Sequence, residues 1–269
     1  MQIFSRRFLQ VSLLIFMTLA LALSVQGAGF SNASLKGSYS FLTNLRTANV
    51  TPNQFAMVGV MTFDGAGNVT GSYTSISLDT VQSGPLGGTY SVKSNGTGTI
   101  DLTTGSTAKF AITLNSTAAG VAQGVQLLQI NDNNNEIVSG TAVLQSTTAG
   151  KYNLASLKGN FAFQYNPWTA DSTLAEDGGI GIFSFDGKGN IKSSEMIVYD
   201  GKLFKGTGTF TYTVNSDGSG TITATGKGPH LAFALNSVAA GQAKGLQFLD
   251  TDTSDGTGNM VITGSALKQ

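Results

Sequence analysis

The sequence predicts an all-β protein built as two tandem, antiparallel, up-and-down β-barrels of about eight strands each, placed after an N-terminal signal peptide. Three observations predict this. The chain repeats one long unit twice, its apolar residues alternate with a period of two, and Gly, Asn, Asp and Ser punctuate the alternating segments.

The repeat sets the domains. "ASLKGSYSF" (Ala33 to Phe41) returns as "ASLKGNFAF" (Ala155 to Phe163), and "TYSVKSNGTGTI" (Thr89 to Ile100) as "TYTVNSDGSGTI" (Thr211 to Ile222). The longest match joins "NSTAAGVAQGVQLL" (Asn115 to Leu128) to "NSVAAGQAKGLQFL" (Asn236 to Leu249). Units this long are whole domains rather than solenoid repeats. The expected boundaries are residues 1–28 for the signal peptide, 29–148 for the first barrel and 149–269 for the second, joined near "STTAGKYN" (Ser146 to Asn153).

The strands follow from the alternation. Phe161, Phe163 and Tyr165 point one way and Asn160, Ala162 and Gln164 the other. Phe110, Ile112 and Leu114 repeat the pattern, as do Leu231, Phe233 and Leu235. Eight strands with one apolar face can close and so remove exposed edges. A two-sheet sandwich satisfies the same periodicity. The small residues Ala111, Thr113, Ala232 and Ala234 would leave a roomy lumen if they face inward.

Composition bounds the function. There is no cysteine, which excludes disulfides, thiolate chemistry and cysteine metal sites. Lys plus Arg (15) balances Asp plus Glu (15), and only 11% of residues are charged, so nothing steers the chain to nucleic acid or to an anionic membrane. Arg6 and Arg7 precede an apolar run from Val11 to Leu23, with small residues at Ser24, Gly27 and Ala28. That is the pattern of an export signal cleaved near Gly27 or Ala28, with an uncleaved anchor as the alternative. The expected address is extracytoplasmic, secreted or periplasmic, in a bacterium, with no membrane association after cleavage.

"FDGAGNV" (Phe63 to Val69) and "FDGKGNI" (Phe185 to Ile191) raise the question of a glycine-rich binding loop made twice. A phosphate cradle needs a helix after the glycines, and here an alternating strand follows. Asp-Gly between two strands is hairpin chemistry. "SNGTG" (Ser94 to Gly98) and "SDGSG" (Ser216 to Gly220) read as a second hairpin, with Asn95 exchanging for Asp217.

"SLKGSYSF" resembles the opening strand of the calycin group, the avidin-like and lipocalin-like barrels, where Leu-x-Gly-x-aromatic is typical. "GAGNVTGSYTS" (Gly65 to Ser75) is similar to the second hairpin of avidins. The resemblance implies a small-molecule barrel in which Tyr73 and Ser75 match positions that hydrogen-bond the ureido oxygen of biotin. The rest of that site is absent. Phe41 and Phe163 stand where the family has asparagine, Trp168 is the only tryptophan, and Glu195 and Ile197 replace Tyr73 and Ser75 in the second unit. Biotin is therefore not the implied ligand.

Other candidates come from the residues alone. Gln126 and Gln247 fall within apolar strands, where a lumen glutamine would bond a ligand, a neighbouring strand or solvent. "NPWTAD" (Asn166 to Asp171) reads as a loop after the first strand, so Trp168 with Tyr165 would stack on a ligand at the barrel mouth, or Trp168 would pack over its end. "DTDTSDGTGN" (Asp250 to Asn259) lacks the spacing and closing glutamate of a calcium loop, and "NDNNNE" (Asn131 to Glu136) is acid-poor. His230 is the only histidine and no nucleophile or zinc motif accompanies it. The expectation is a non-enzymatic protein without cofactor or metal. Its ligand would be a small apolar or mixed molecule near Tyr73, Ser75, Gln126, Tyr165, Trp168 and Gln247. The alternative is a surface or matrix module with filled barrels that meets cell-surface polysaccharide or protein.

Overall fold

A computed structural model describes residues 29–47, 55–77, 80–131, 136–147, 150–169, 178–252 and 260–269. The signal-peptide expectation and most of the 250–259 segment lie outside them. Barrel 1 runs through β1 (Lys36–Thr47), β2 (Phe55–Asp64), β3 (Asn68–Ser77), β4 (Thr80–Val92), β5 (Thr97–Thr104) and β6 (Lys109–Leu114). A small hairpin of β7 (Thr117–Ala118) and β8 (Val121–Ala122) precedes β9 (Gly124–Gln129) and β10 (Glu136–Ser146). Barrel 2 follows as β11 (Lys158–Thr169), β12 (Gly178–Asp186), β13 (Asn190–Tyr199) and β14 (Lys202–Val214). Its remaining strands are β15 (Ser219–Ala224), β16 (His230–Asn236), β17 (Gly245–Asp250) and β18 (Met260–Lys268). Every pairing is antiparallel between neighbours, and β10 returns to β1 as β18 returns to β11, so both sheets are closed. The sandwich alternative is excluded.

Both barrels have the same floor. A one-turn 3-10 helix, Asn32–Ser34 or Leu154–Ser156, leads into the first strand and seats Leu35 or Leu157, both fully buried. The Tyr90 hydroxyl donates to the carbonyls of Asn32 (3.1 Å) and Leu35 (2.8 Å), and that of Tyr212 to Leu154 (2.9 Å) and Leu157 (3.0 Å). Above them three rings pack edge to face, Tyr39–Phe63–Tyr90 in barrel 1 and Phe161–Phe185–Tyr212 in barrel 2, with centroids 5.0–5.5 Å apart. Burial pushes the Tyr90 hydroxyl up to about 12. Gly37 (φ +107°) opens β1, where a Cβ would collide with the Ser146 carbonyl, so only glycine fits.

The repeated Asp-Gly loops are turns. Asp64 Oδ1 accepts from the backbone N–H groups of Ala66, Gly67 and Asn68 (2.7–3.0 Å), and Oδ2 accepts from Asn68 Nδ2 at 2.6 Å. Asp186 does the same with Lys188 and Asn190. These bonds, led by the Asn68 or Asn190 side chain, hold both carboxyls down at about 2. Each carboxylate is thus committed to shaping its own turn.

The barrels pack side by side along a dry seam. The outward residues Ala56, Val58, Val60 and Ile76 of barrel 1 meet Ala232, Ala234, Leu249 and Val261 of barrel 2, with Leu42 beside them. Burying each large apolar side chain here contributes roughly 1.5–3 kcal/mol. Ala232 and Ala234 therefore do not widen the lumen: Leu231, Phe233 and Leu235 take the inside of β16 and the alanines face the seam. In β6 the buried Phe110 and Ile112 are inside, which leaves Ala111 and Thr113 outside. Polar contacts fix the register of the seam. Ser40 Oγ donates to Gln247 Oε1 (3.0 Å), Gln247 Nε2 donates to Thr141 Oγ1 (3.0 Å), and Ser72 Oγ donates to Asp217 Oδ2 (2.6 Å). The N–H groups of Ser237 and Val238, just past β16, donate to the carbonyls of Leu144 and Gln145 at the end of β10 (both 2.8 Å).

Candidate binding site

Inward positions of barrel 2 above the floor carry Phe163 and Tyr165 from β11, Phe183 from β12, Glu195 and Ile197 from β13, Phe210 from β14 and Phe248 from β17. Glycines decide where the rings lie. Phe163 is paired with Gly181, Tyr165 with Gly179, Phe233 with Gly220 and Phe248 with Gly264. A Cβ on any of these glycines would fall 2.3–2.6 Å from the ring of its partner. Each ring thus occupies the place of the missing side chain and lies along the wall, as aromatic residues do when they cover a strand glycine.

Flattened rings leave the upper lumen open. The result is an open-mouthed cavity of about 710 Å³ lined by these side chains, with Gly226, Lys227, His230, Asp250 and Asp252 at the rim. Phe163 and Phe183 stack at 4.1 Å, and Phe210 and Phe248 meet Phe183 edge to face at 6.2 and 6.3 Å. The volume lies within the range of sites for small organic ligands. Two clefts of about 310 and 520 Å³ flank the seam instead.

Glu195 is the one acidic side chain on the cavity wall below the rim. Burial among the rings pushes its carboxyl above the usual carboxylate range, and among the described residues no hydrogen bond or neighbouring cation offsets that push. Ser193 lies one inward position deeper on β13; its hydroxyl is buried and has no hydrogen-bond partner. At the rim, His230 Nδ1 lies 3.6 Å from Asp252 Oδ2. Among the described residues no group of three or more His, Asp or Glu is placed to hold a metal ion.

The residues singled out from sequence are dispersed. Tyr165 lines the cavity of barrel 2. Tyr73 and Ser75 face the inside of barrel 1, Tyr73 packed against its core and Ser75 buried. Gln247 is buried but points outward into the seam, where its amide is taken by Ser40 and Thr141. Gln126, its counterpart, is exposed on the outer face of barrel 1. Neither glutamine reaches a lumen. Trp168 belongs to β11, paired with Val261, rather than to a loop; its side chain lies outside the described residues. Asp101 forms an ion pair with Lys109 at 3.1 Å. Sequence reasoning missed Phe183, Phe210 and Phe248 as a lining. Glu195 was visible only as a departure from the avidin pattern, although a carboxylate at the inward parity of an apolar strand was the available signal.

No protein-family model matches the chain, and no curated protein matches it. Solved structures with a similar course include kievitone hydratase from Nectria haematococca, at 8% identity and a TM-score of 0.26, covering 88% of this chain and 92% of that one. A putative AttH from Nitrosomonas europaea has 10% identity and a TM-score of 0.27, covering 87% and 92%. HpuA from Kingella denitrificans, solved in complex with human haemoglobin, has 8% identity and a TM-score of 0.30, covering 84% and 90%. Among the described residues no helix is long and apolar enough to cross a membrane.

Proposed function

We propose that the chain is a non-catalytic binding protein that takes a small, mainly apolar molecule into the mouth of barrel 2, and that the ligand carries one hydrogen-bond donor, an amine above all, for Glu195. The observation that carries this reading is the aromatic-walled cavity of about 710 Å³ with a single desolvated carboxyl on its wall. Rings and Ile197 supply the apolar surface, and a cation brought beside Glu195 would offset the cost of its burial. Eight-stranded up-and-down barrels have room for one small ligand, which agrees with the calycin resemblance of the opening strand. A wall of rings suits such a molecule better than a polysaccharide chain, whose hydroxyls would find one carboxyl and little else. The extracytoplasmic address rests on the N-terminal sequence pattern.

Calorimetric titration with three molecules of one shape tests the proposal: phenylbutylamine, phenylbutanol and phenylbutanoate. The amine is expected to bind most tightly and the acid most weakly. Glu195→Gln should bring the amine down to the level of the alcohol while leaving the alcohol unchanged. If none of the three binds, or the acid binds best, the reading is wrong.

A further inference from the structure

The seam joins unlike faces of the two units. Barrel 1 contributes the outer side of β10, β1 and β2 with Ser72 and Ile76 of β3 at its edge, whereas barrel 2 contributes the outer side of β16, β17 and β18, which correspond to β6, β9 and β10. Phe41 lies opposite Gly59 and Ala142, and Phe163 opposite Gly181 and Ala266, which fixes the residue correspondence between the units. An interface between unlike faces leaves a second copy of each face outside it, here complete except for β10 and β18, which border both faces. On barrel 1, Leu128 (46% exposed) and Ile137 (57%) stand where barrel 2 has the buried Leu249 and Val261. On barrel 2, Ile180 (53%) and Val198 (45%) stand where barrel 1 has the buried Val58 and Ile76.

We propose that the chain associates with a second copy of itself head to tail: the outer face of β6, β9 and β10 in one molecule docks on the outer face of β18, β11 and β12 in the next, with Val198 of β13 at its edge, repeating the seam. The polar contacts have counterparts too. Gln126 takes the part of Gln247 and meets Ser265, which stands in the place of Thr141; Ser194 and Asn95 take the parts of Ser72 and Asp217. Three replacements weaken the copy relative to the seam: Ala162 has no hydroxyl where Ser40 has one, Gln164 stands for Leu42, and Thr113 for Ala234. The contact between molecules is therefore weaker than the seam and reversible. On each barrel the centres of the two faces, β1 and β9 or β11 and β17, lie two strands apart in a ring of eight, so partners on both faces clear one another. This inference is independent of the cavity.

Sedimentation equilibrium of the full chain over a range of concentrations tests it, together with Leu128→Lys and Ile180→Glu. Both substitutions fall on exposed side chains and should leave the circular dichroism and melting of the monomer unchanged. The wild type is expected to rise reversibly from 27.8 kDa to at least twice that mass, and each variant alone to stay monomeric. Mixing the two variants should restore association, because the ammonium introduced on β9 of one chain then faces the carboxylate introduced on β12 of the other. A wild type that remains monomeric up to about 1 mM, where a contact is worth only about 4 kcal/mol, overturns the proposal. So does association that neither substitution disturbs.

Discussion

Gly179→Ala isolates the geometry of the cavity wall. Its built Cβ falls 2.4 Å from Cε1 and Cζ of Tyr165 and 2.5 Å from the phenol oxygen, and its three nearest neighbours are all atoms of that ring. Gly181 is different, since its Cβ would also meet the Ser194 carbonyl at 2.3 Å. At Gly179 the ring must retreat by about 1 Å or more to reach ordinary contact, and the space open to it is the cavity that Tyr165 lines. Overpacking of this kind costs roughly 1–3 kcal/mol. Replacing glycine where φ is compatible returns roughly 0.4–1 kcal/mol through the unfolded chain, and Gly179 has no positive φ. The net loss of stability is therefore roughly 0–2.6 kcal/mol, from the difference of those ranges. Binding should suffer more visibly, because a phenol ring now stands in the mouth. Titration with phenylbutylamine is expected to show an affinity at least about tenfold lower, or about 1.4 kcal/mol, in a protein whose circular dichroism is unchanged. A folded variant that binds as tightly as the wild type would refute the idea that the paired glycines keep the mouth open for the ligand.

Three other perturbations have defined outcomes. Asp64 and Asp186 sit at about 2 when folded against 3.8 in a free chain, so their contribution is complete above about pH 4 and is lost as the pH falls through about 2; the double variant to Asn should melt lower than wild type at pH 5 and show a flatter decline toward pH 2. Glu195 is shifted the other way, so the folded protein binds its proton more firmly and loses stability as pH rises above the ordinary glutamate value; Glu195→Gln should raise the melting temperature at pH 8 and leave it nearly unchanged at pH 4. Leu249→Ala removes a fully buried side chain from the seam, which should cost about 2–5 kcal/mol and split one calorimetric transition into two; a single transition of unchanged midpoint would show that the seam contributes little.

What the sequence disclosed and what it withheld divide along a physical line. Period-two alternation and hairpin chemistry are local, so the strands and the Asp64 and Asp186 turns could be read directly, whereas closure rests on the pairing of the last strand with the first, which a sandwich would lack. Which residues face a lumen depends on what covers the other side of the sheet. "HLAFALN" is apolar on both faces, with Leu231, Phe233 and Leu235 inside and Ala232 and Ala234 outside, and "FAMVGVM" in β2 is apolar on both faces as well. Strands covered on both sides read as continuous apolar runs, so the seam was written in these two stretches. Reading the alanines as small lumen residues overlooks that cover. Gln247 followed them, since its environment was set by Ser40, 207 positions earlier. The cavity depends on rings meeting glycines across strands, and that register appears only once the barrel is closed.

The repeated motifs of the chain all lie at one end of the barrels. The first strands begin there, both Asp-Gly turns and both Asn/Asp-Gly hairpins close there, and Phe30 and Gln269 are held there by the Ser94 and Asn160 carbonyls (3.1 and 3.0 Å). At the seam that end of one barrel meets the same end of the other, Ser72 beside the Asp217 hairpin and the close of β10 beside the close of β16. The molecule is consequently vectorial. Attachment through Gly29 or Gln269, to a bead, a sensor surface or a fused partner, presents the opening of barrel 2 away from the support, so entry to the cavity remains unobstructed from either of these points.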